Sequence, residues 1–207
     1  ELQKIMADSY SSCPADTARN SGQRSIKRAE KDTDTQGWVG PFPMAPINER
    51  MVLRSNAIAP YHETFCYNEA IVTGSGFAGA FGAKALAATG PIGKFALRFP
   101  SLIRLLENQV LPKPGEGPSA KEQADGSFEL RFFGTTSDGK KVAVKVSGEG
   151  DPGYASTAKM LSQAAVSLAL DISKAEKAGG FWTTATVFDG RLVERLEKYA
   201  EMNFEAL

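Results

Sequence analysis

Five polar residues have the side chains and the sequence surroundings to contact a substrate, and they fall in two parts of the chain. They are Tyr67, Glu69, Glu116, Asp151 and Tyr154. A phenol can donate or accept a hydrogen bond, an ionised carboxylate accepts only, and a carboxyl group among apolar side chains can retain a proton. We predict that these five residues bind a substrate. No catalytic residue is assigned, because the sequence offers no general acid or base that can be defended.

The first pair belongs to a run that is rich in aromatic and β-branched residues. Residues 63–73 alternate so that Phe65, Tyr67, Glu69 and Ile71 share one face, and the run predicts a strand. Burial of that face would raise the pKa of Glu69, because desolvation disfavours the charged carboxylate. A face turned to solvent, or a Glu69 paired with an arginine, is the favoured alternative.

The other three residues belong to two turns that are rich in glycine and proline, residues 114–119 and 148–154. Such dense glycine is needed where φ is positive or where the backbone approaches another group, and proline fixes φ, so both turns are predicted to be rigid. Asp151 lies just before a predicted helix, whose free amides could hold an anion. Capping of that helix alone also accounts for the acid.

A β-hairpin and a long helix are predicted between and after these turns. Residues 127–134 and 141–147 predict two antiparallel strands around an Asp-Gly turn. The second strand is expected to bury Val142, Val144 and Val146. Helical spacing predicts a helix over about 154–177 that packs across the sheet through an apolar seam of Tyr154, Ala158, Leu161, Ala165, Leu168 and Ile172. The predicted fold class is α+β, with a mainly antiparallel sheet packed by helices.

Composition argues against several classes of partner. The 207 residues include 24 basic and 24 acidic side chains, so no general attraction to nucleic acid is expected. The one histidine, His62, follows a proline in a predicted surface turn and has no identifiable nucleophile partner. Cys13 and Cys66 are too few for a disulfide framework or a zinc site. We therefore expect no metal, no nucleic-acid partner and a reducing, cytoplasmic setting.

A Gly-x-Gly-x-x-Gly spacing occurs at Gly74, Gly76 and Gly79. A dinucleotide-binding fingerprint needs a βαβ unit of about thirty residues and an acid about twenty residues further on. Lys94 and Arg98 stand in that region instead. The pattern therefore favours a tightly packed helix that another backbone approaches, and no cofactor-binding residue is assigned.

Residues 91–109 carry apolar side chains at helical spacing, with three basic residues available to the opposite face. Pro91 and Pro100 are expected to open two short helices. Packing in a core is the favoured explanation of this pattern, and contact with a membrane surface or a lipid chain is left open. Charged residues interrupt every stretch of the length that a membrane span requires.

The beginning of the chain bears on its domain organisation. The sequence opens at Glu1 without an initiator Met or a leader, so we expect a piece of a longer protein. Residues 1–37 are polar and mixed in charge and predict a mobile or loosely packed arm, followed by one domain over 38–207. A helix is predicted over 49–57, with Asn48 as its N-cap.

Several longer motifs, taken in order, resemble a known family. They are Trp38-Val-Gly-Pro-Phe-Pro-Met-Ala, Arg54-Ser-Asn-Ala, the stretch from Tyr61 to Glu69, Leu111-Pro-Lys-Pro-Gly-Glu-Gly-Pro-Ser and Asp151-Pro-Gly-Tyr-Ala-Ser-Thr-Ala-Lys-Met. Together they resemble the C-terminal part of saccharopine dehydrogenase-like oxidoreductases, a group that includes the mycobacterial trans-acting enoyl reductases. His62 departs from the pattern, in which a glycine follows the tyrosine.

The resemblance implies a parent enzyme in which an N-terminal Rossmann domain, absent from this chain, holds NAD or NADP. This chain would then be the C-terminal substrate-binding or dimerisation domain, without a cofactor site of its own and catalytically incomplete alone. Its expected partners are its own Rossmann domain and a small-molecule or acyl/lipid substrate, with a homodimer left open. The alternative is a non-catalytic lipid-associated or structural module that retains the fold.

Overall fold

The computed structural model describes residues 2–96, 98–99 and 115–207. The chain divides into two compact units, residues 1–113 and 114–207. Each unit contains a three-stranded antiparallel sheet together with helices. The predicted α+β class with mainly antiparallel sheets is thereby confirmed. The division falls inside the predicted domain over 38–207, whose assignment to a parent protein stays a prediction.

The first unit contains six described elements: α1 (Leu2–Ala7), β1 (Glu30–Lys31), β2 (Trp38–Pro41), α2 (Ala45–Ile58), β3 (Ala70–Gly74) and α3 (Gly76–Ala96). The strand order is β1-β2-β3. The predicted start of α2 at residue 49 is wrong, because Pro46 fits the first helical turn, where its missing N–H costs nothing. Asn48 is consequently inside the helix and is not its cap.

The run over 63–73 forms a strand only from Ala70, so the predicted longer strand is wrong. The preceding backbone is held by a side chain instead of by a neighbouring strand. The Gln23 amide nitrogen donates to Tyr67 O at 2.7 Å, and its oxygen accepts from Tyr67 N at 3.0 Å. These two hydrogen bonds take the place of those that a neighbouring strand would make with the backbone of Tyr67.

α3 lies against β2 and β3 through very small residues. Ala83 has no exposed surface, and a Cβ added at Gly40 of β2 would lie 3.1 Å from Ala83 O. A Cβ added at Gly79 would lie 2.3 Å from Gly74 O, closer than real Cβ atoms come. Gly74 and Gly76 themselves have φ of +97° and +64°. Close packing and turn geometry therefore explain all three glycines of the Gly-x-Gly-x-x-Gly spacing.

α3 continues through Pro91 as one helix of 21 residues, so the prediction that Pro91 opens a new helix is wrong. The residue before a proline is pushed out of helical conformation mainly by contacts of its N–H and Cβ with the proline ring. Gly90 has no Cβ, which relieves part of that conflict. The second helix, predicted to open at Pro100, lies outside the described residues.

The second unit contains seven described elements: α4 (Ala120–Asp125), β4 (Ser127–Thr135), β5 (Lys141–Glu149), α5 (Ala155–Leu170), α6 (Thr184–Phe188), α7 (Arg191–Tyr199) and β6 (Met202–Ala206). The predicted hairpin is confirmed as β4 and β5, which pair from Ser127↔Glu149 to Thr135↔Lys141. Val146 belongs to a buried cluster with Leu196, Ala200 and Met202.

The predicted buried face of β5 is confirmed at one end only. Val146 is 8% exposed, whereas Val144 is 37% and Val142 58% exposed. α7 contacts β6, and the buried cluster includes Leu196 from the last turns of α7. α7 thus packs over Val146, and it does not pack over Val142 near the turn of the hairpin.

The long helix is shorter than predicted and faces the other way. α5 ends at Leu170, and the Ser173 side chain accepts from Glu176 N at 3.2 Å, a local bond that competes with helical continuation. The predicted apolar seam lies on the exposed side, with Leu161 69% and Leu168 55% exposed. The buried side of α5 instead carries Ser156 and Ser167, which are 1% and 0% exposed.

Within the residues that the structure describes, no helix is both long enough and apolar enough to cross a membrane.

Candidate functional site

Two of the five predicted contact residues meet in the first unit. The Tyr67 hydroxyl donates to Glu69 Oε1 at 2.7 Å, and the Asn48 side-chain amide donates to Glu69 Oε2 at 2.9 Å. All three side chains are half-buried. The carboxylate of Glu69, just before β3, therefore accepts one hydrogen bond from α2 and one from the loop that precedes the strand.

The pKa of Tyr67 is raised well above its usual range, first by burial and then by the hydrogen bond to Glu69. A phenolate next to the Glu69 carboxylate would place two negative charges in a partly desolvated site. Tyr67 is therefore a neutral phenol that donates its one proton to Glu69, and it is poorly suited to releasing that proton.

A second acidic residue, Glu49, belongs to this cluster and was missed by the sequence analysis. Its side chain is 1% exposed, and its Oε2 accepts from the Ser25 hydroxyl at 2.5 Å. Burial raises the pKa of Glu49, and the charge of Glu69 raises it further, while the Ser25 hydrogen bond lowers it. Among the described residues, Glu49 Oε1 has no hydrogen-bond partner of good geometry.

Glu49 could have been found from the helical pattern of α2. It precedes Leu53 by four residues, so both lie on one face, and Leu53 is 2% exposed. A glutamate on the apolar face of a short helix indicates either a buried partner or a carboxyl group that keeps its proton. We refer to Ser25, Asn48, Glu49, Tyr67 and Glu69 as the carboxylate cluster.

The predicted arm supplies part of this cluster and has more contacts than the sequence indicates. Ser25 bonds Glu49 and Gln23 bonds the backbone of Tyr67. The Asn20 amide nitrogen donates to Thr64 O at 2.6 Å and to Cys66 Sγ at 3.1 Å. Residues 20–25 are thus tied to the loop that carries Tyr67, and this tie positions the cluster.

The first unit also has a cavity of about 410 Å³, away from the predicted residues. It is lined in part by Asp8, Tyr10, Cys13 and Arg19. Arg19 donates to both carboxylate oxygens of Asp8, at 2.8 and 2.9 Å, and this pairing holds the pKa of Asp8 below its usual value. Because both charges are satisfied by each other, the cavity offers no uncompensated charge from this pair.

In the second unit, Asp151 caps the start of α5. Its Oδ2 accepts from Gly153 N at 3.0 Å and Tyr154 N at 2.9 Å, and its Oδ1 accepts from Ala155 N at 3.0 Å. The carboxylate thus occupies the position in which those amides could otherwise hold an anion. Its role as a substrate contact stays a prediction.

The two Gly/Pro turns touch each other through Tyr154. A Cβ added at Gly117 would lie 3.2 Å from Cζ of the Tyr154 ring, so only glycine fits there without movement. Tyr154 is still 55% exposed, and Glu116 is exposed in the turn beside it. The turns therefore bring Glu116 and Tyr154 into one neighbourhood, and the role of these two residues as substrate contacts stays a prediction.

A shallow cavity of about 400 Å³ adjoins the second turn. Its lining includes Gln123, Glu149, Gly150, Lys159 and Glu201, with an ion pair between the last two charged side chains. It includes none of the five predicted contact residues. The turn contributes to it through Glu149 and the positive-φ Gly150, whose N–H donates to Gly126 O at 2.7 Å.

The histidine contacts residues near it in the chain, whereas the Cys66 thiol accepts from the Asn20 amide at 3.1 Å. His62 is exposed, and its Nδ1 lies 3.0 Å from Thr64 Oγ1 and accepts from Thr64 N at 3.1 Å. Cys13 and Cys66 are free thiols. Among the described residues, no group of three or more His, Cys, Asp or Glu side chains is placed to hold a metal ion.

The chain is similar to several mycobacterial proteins that are named trans-acting enoyl reductase. It is 36% identical over 163 residues to those of Mycobacterium tuberculosis (strain ATCC 25618 / H37Rv) and Mycobacterium bovis (strain BCG / Pasteur 1173P2). It is 36% identical over 166 residues to that of Mycobacterium ulcerans (strain Agy99). In each case the match covers 77% of this chain and 39% of the relative, so the chain spans well under half the length of these relatives.

No family model matches the chain. No solved structure matches it either. The enoyl-reductase part of the resemblance seen in the sequence is supported by these relatives, and the chain is similar to oxidoreductases at that level.

Proposed function

We propose that this chain is the substrate-binding or dimerisation part of an NAD(P)-dependent enoyl reductase of the saccharopine dehydrogenase-like class. The observation that supports the proposal most strongly is the identity of 36% over 163 residues with proteins named trans-acting enoyl reductase. Because this chain spans 39% of those relatives, we place the nucleotide-binding domain in the remainder of the parent protein.

Reduction of an enoyl group adds a hydride to one carbon of the double bond and a proton to the other. Reduced nicotinamide would supply the hydride when bound to the parent protein. The residues of this chain would bind and orient the substrate. We assign that role first to the carboxylate cluster, in which the Tyr67 oxygen and the Glu69 carboxylate lie 2.7 Å apart and can both accept hydrogen bonds from a substrate.

The kinetic test uses the full-length parent, reduced nicotinamide and a short enoyl thioester. Tyr67→Phe and Glu69→Gln are expected to raise KM for the thioester by roughly tenfold and to change kcat much less, since each removes one polar contact worth about 1.4 kcal/mol. Tyr61→Phe is the matched control, because Tyr61 is 55% exposed and keeps its edge contact with Phe65 without the hydroxyl.

An unchanged KM in both cluster variants would contradict the assignment of the cluster as the substrate site. A fall in kcat alone would indicate that Tyr67 or Glu69 takes part in the reaction itself. Binding of neither NADH nor NADPH to the parent would contradict the oxidoreductase proposal and favour the lipid-associated or structural alternative.

A further inference from the structure

The outward side of α3 is an exposed apolar stripe. Phe77 is 88% exposed, Phe81 67%, Ile92 64% and Phe95 58%. At about 100° per residue these four positions fall within about 60° of arc and span about 27 Å of the helix. We call these four residues the α3 stripe. Four large apolar side chains aligned in this way normally mark an interaction surface.

The α3 stripe is not the face through which α3 packs in its own unit, because the opposite face of the helix makes that contact. Ala83 is fully buried against β2, and Gly79 lies so close to Gly74 that no side chain fits between them. Phe99 continues the stripe beyond the helix, since its ring lies 5.0 Å from that of Phe95.

The charge of the segment points to an anionic partner. Between Gly76 and Phe99 the sequence has three basic residues, Lys84, Lys94 and Arg98, and no acidic residue, although the whole chain carries equal numbers of both. A second copy of the same helix would bring positive charge against positive charge. An anionic bilayer surface complements both the apolar stripe and the basic residues.

We propose that α3 is a membrane-docking helix that lies flat on an anionic bilayer and inserts the α3 stripe at the level of the headgroups. Both ends of the stripe lie on the same side of the helix, so they reach the same depth when the helix axis is parallel to the surface. The docking does not depend on the proposed reductase activity, and its test needs neither nucleotide nor thioester.

The test measures binding of the 207-residue chain to vesicles by co-sedimentation. We expect binding to vesicles of phosphatidylcholine with about one third phosphatidylglycerol, and at least tenfold weaker binding to phosphatidylcholine alone. Phe77→Ser with Phe81→Ser is expected to weaken binding to the anionic vesicles by tenfold or more, because two inserted rings are lost. Lys84→Gln is expected to weaken it by several-fold.

The matched control replaces two exposed leucines in the other unit, Leu161→Ser with Leu168→Ser, which removes a similar apolar area and leaves the α3 stripe intact. This variant is expected to bind like the unchanged chain. Circular dichroism and the thermal midpoint check folding, and Phe77→Ser alone, at an 88% exposed position, serves if the double variant unfolds.

Three results would overturn the proposal. The first is a chain that does not bind anionic vesicles, and the second is binding that survives the loss of both phenylalanines. The third is a dimer in sedimentation equilibrium that the Phe77 and Phe81 changes abolish without any vesicle binding, since a second copy would then cover the stripe.

Discussion

Glu49 is the most deeply buried residue of the carboxylate cluster, and burial raises its pKa. It is almost fully buried, accepts one short hydrogen bond from Ser25, and has a raised pKa because burial and the charge of Glu69 both disfavour its ionised form. A buried carboxyl group that keeps its proton binds that proton more tightly in the folded protein than in the unfolded chain. This preference links the stability of the protein to pH.

The sign of that link is fixed by the direction of the shift. Because the folded pKa of Glu49 lies above its ordinary value of 4.5, the group stabilises the fold below that value, and the contribution is lost as pH rises through the folded pKa. Glu49→Gln should therefore gain stability relative to the unchanged protein as pH rises above 4.5. The gain is up to about 1.4 kcal/mol per pH unit between the two pKa values.

Urea unfolding of both proteins at a series of pH values checks this prediction. Asp138→Asn is the control, because the pKa of Asp138 is lowered, so its contribution to stability runs in the opposite direction with pH. A difference between Glu49→Gln and the unchanged protein that stays constant with pH would show that folding does not raise the pKa of Glu49.

Gly79 provides a residue-scale test of the contact between β3 and α3. Gly79→Ala should destabilise the first unit by about 1–3 kcal/mol, because the new Cβ would lie 2.3 Å from Gly74 O and the backbone must move. Gly93→Ala, in the same helix with no atom within 4 Å of the added Cβ, should instead stabilise by about 0.5–1 kcal/mol. Equal effects in thermal unfolding would refute the packing explanation of the glycine pattern.

At this scale the sequence predicted part of the carboxylate cluster. Tyr67 and Glu69 were found because they alternate with apolar residues close together in the chain. The contacts of Glu49 and Ser25 were missed because they join residues 18 or more apart in the chain, although the apolar face of α2 would have indicated that Glu49 is buried.

At the scale of elements, the hairpin was predicted best and the long helix worst. β4 and β5 are joined by a short turn with Asp138 and Gly139, and Gly139 has φ of +84°, so local chemistry determines their register. The residue spacing of α5 correctly predicted a helix, but the predicted packing of its apolar seam across the sheet is wrong. The spacing could not predict whether this chain covers that seam, and Leu161 and Leu168 are both exposed.

The orientation of α5 predicts which leucines matter for stability. Leu161→Ala should change the free energy of unfolding by less than about 0.5 kcal/mol, since its side chain is already 69% exposed. Leu196→Ala in α7 should cost about 2–5 kcal/mol, because Leu196 is 6% exposed within the buried cluster of the second unit. A larger loss at Leu161 than at Leu196 in urea unfolding would contradict the observed orientation.

Two variants of Asp151 can distinguish its role as a helix cap from a role in substrate binding. Asp151→Ala removes the acceptor for three backbone amides and should cost about 0.5–2 kcal/mol of stability. Asp151→Asn keeps one side-chain oxygen and should recover part of that loss. If Asp151 acts only as a cap, both variants of the parent enzyme keep the KM of the unchanged protein at temperatures where they are folded. A raised KM in folded Asp151→Asn would show substrate contact.

Among the described residues of the whole molecule, both units expose large apolar side chains. The first unit exposes the α3 stripe, and the second exposes Leu161 and Leu168 on α5 and Val142 at the far end of its hairpin. The chain spans 39% of the length of the relatives that it resembles. The sequence predicted an apolar face for residues 91–109, for the second strand of the hairpin and for the long helix. It predicted a tightly packed helix where Phe77 and Phe81 lie.

We propose that this chain serves an NAD(P)-dependent enoyl reductase whose nucleotide site lies in the rest of the parent. The most direct measurement is calorimetric titration of NADH and NADPH into the full-length parent and, separately, into the 207-residue chain. We predict binding of one nucleotide at micromolar concentration to the parent and no binding to the 207-residue chain. Binding of neither nucleotide to the parent, or equal binding to the 207-residue chain, would contradict the account.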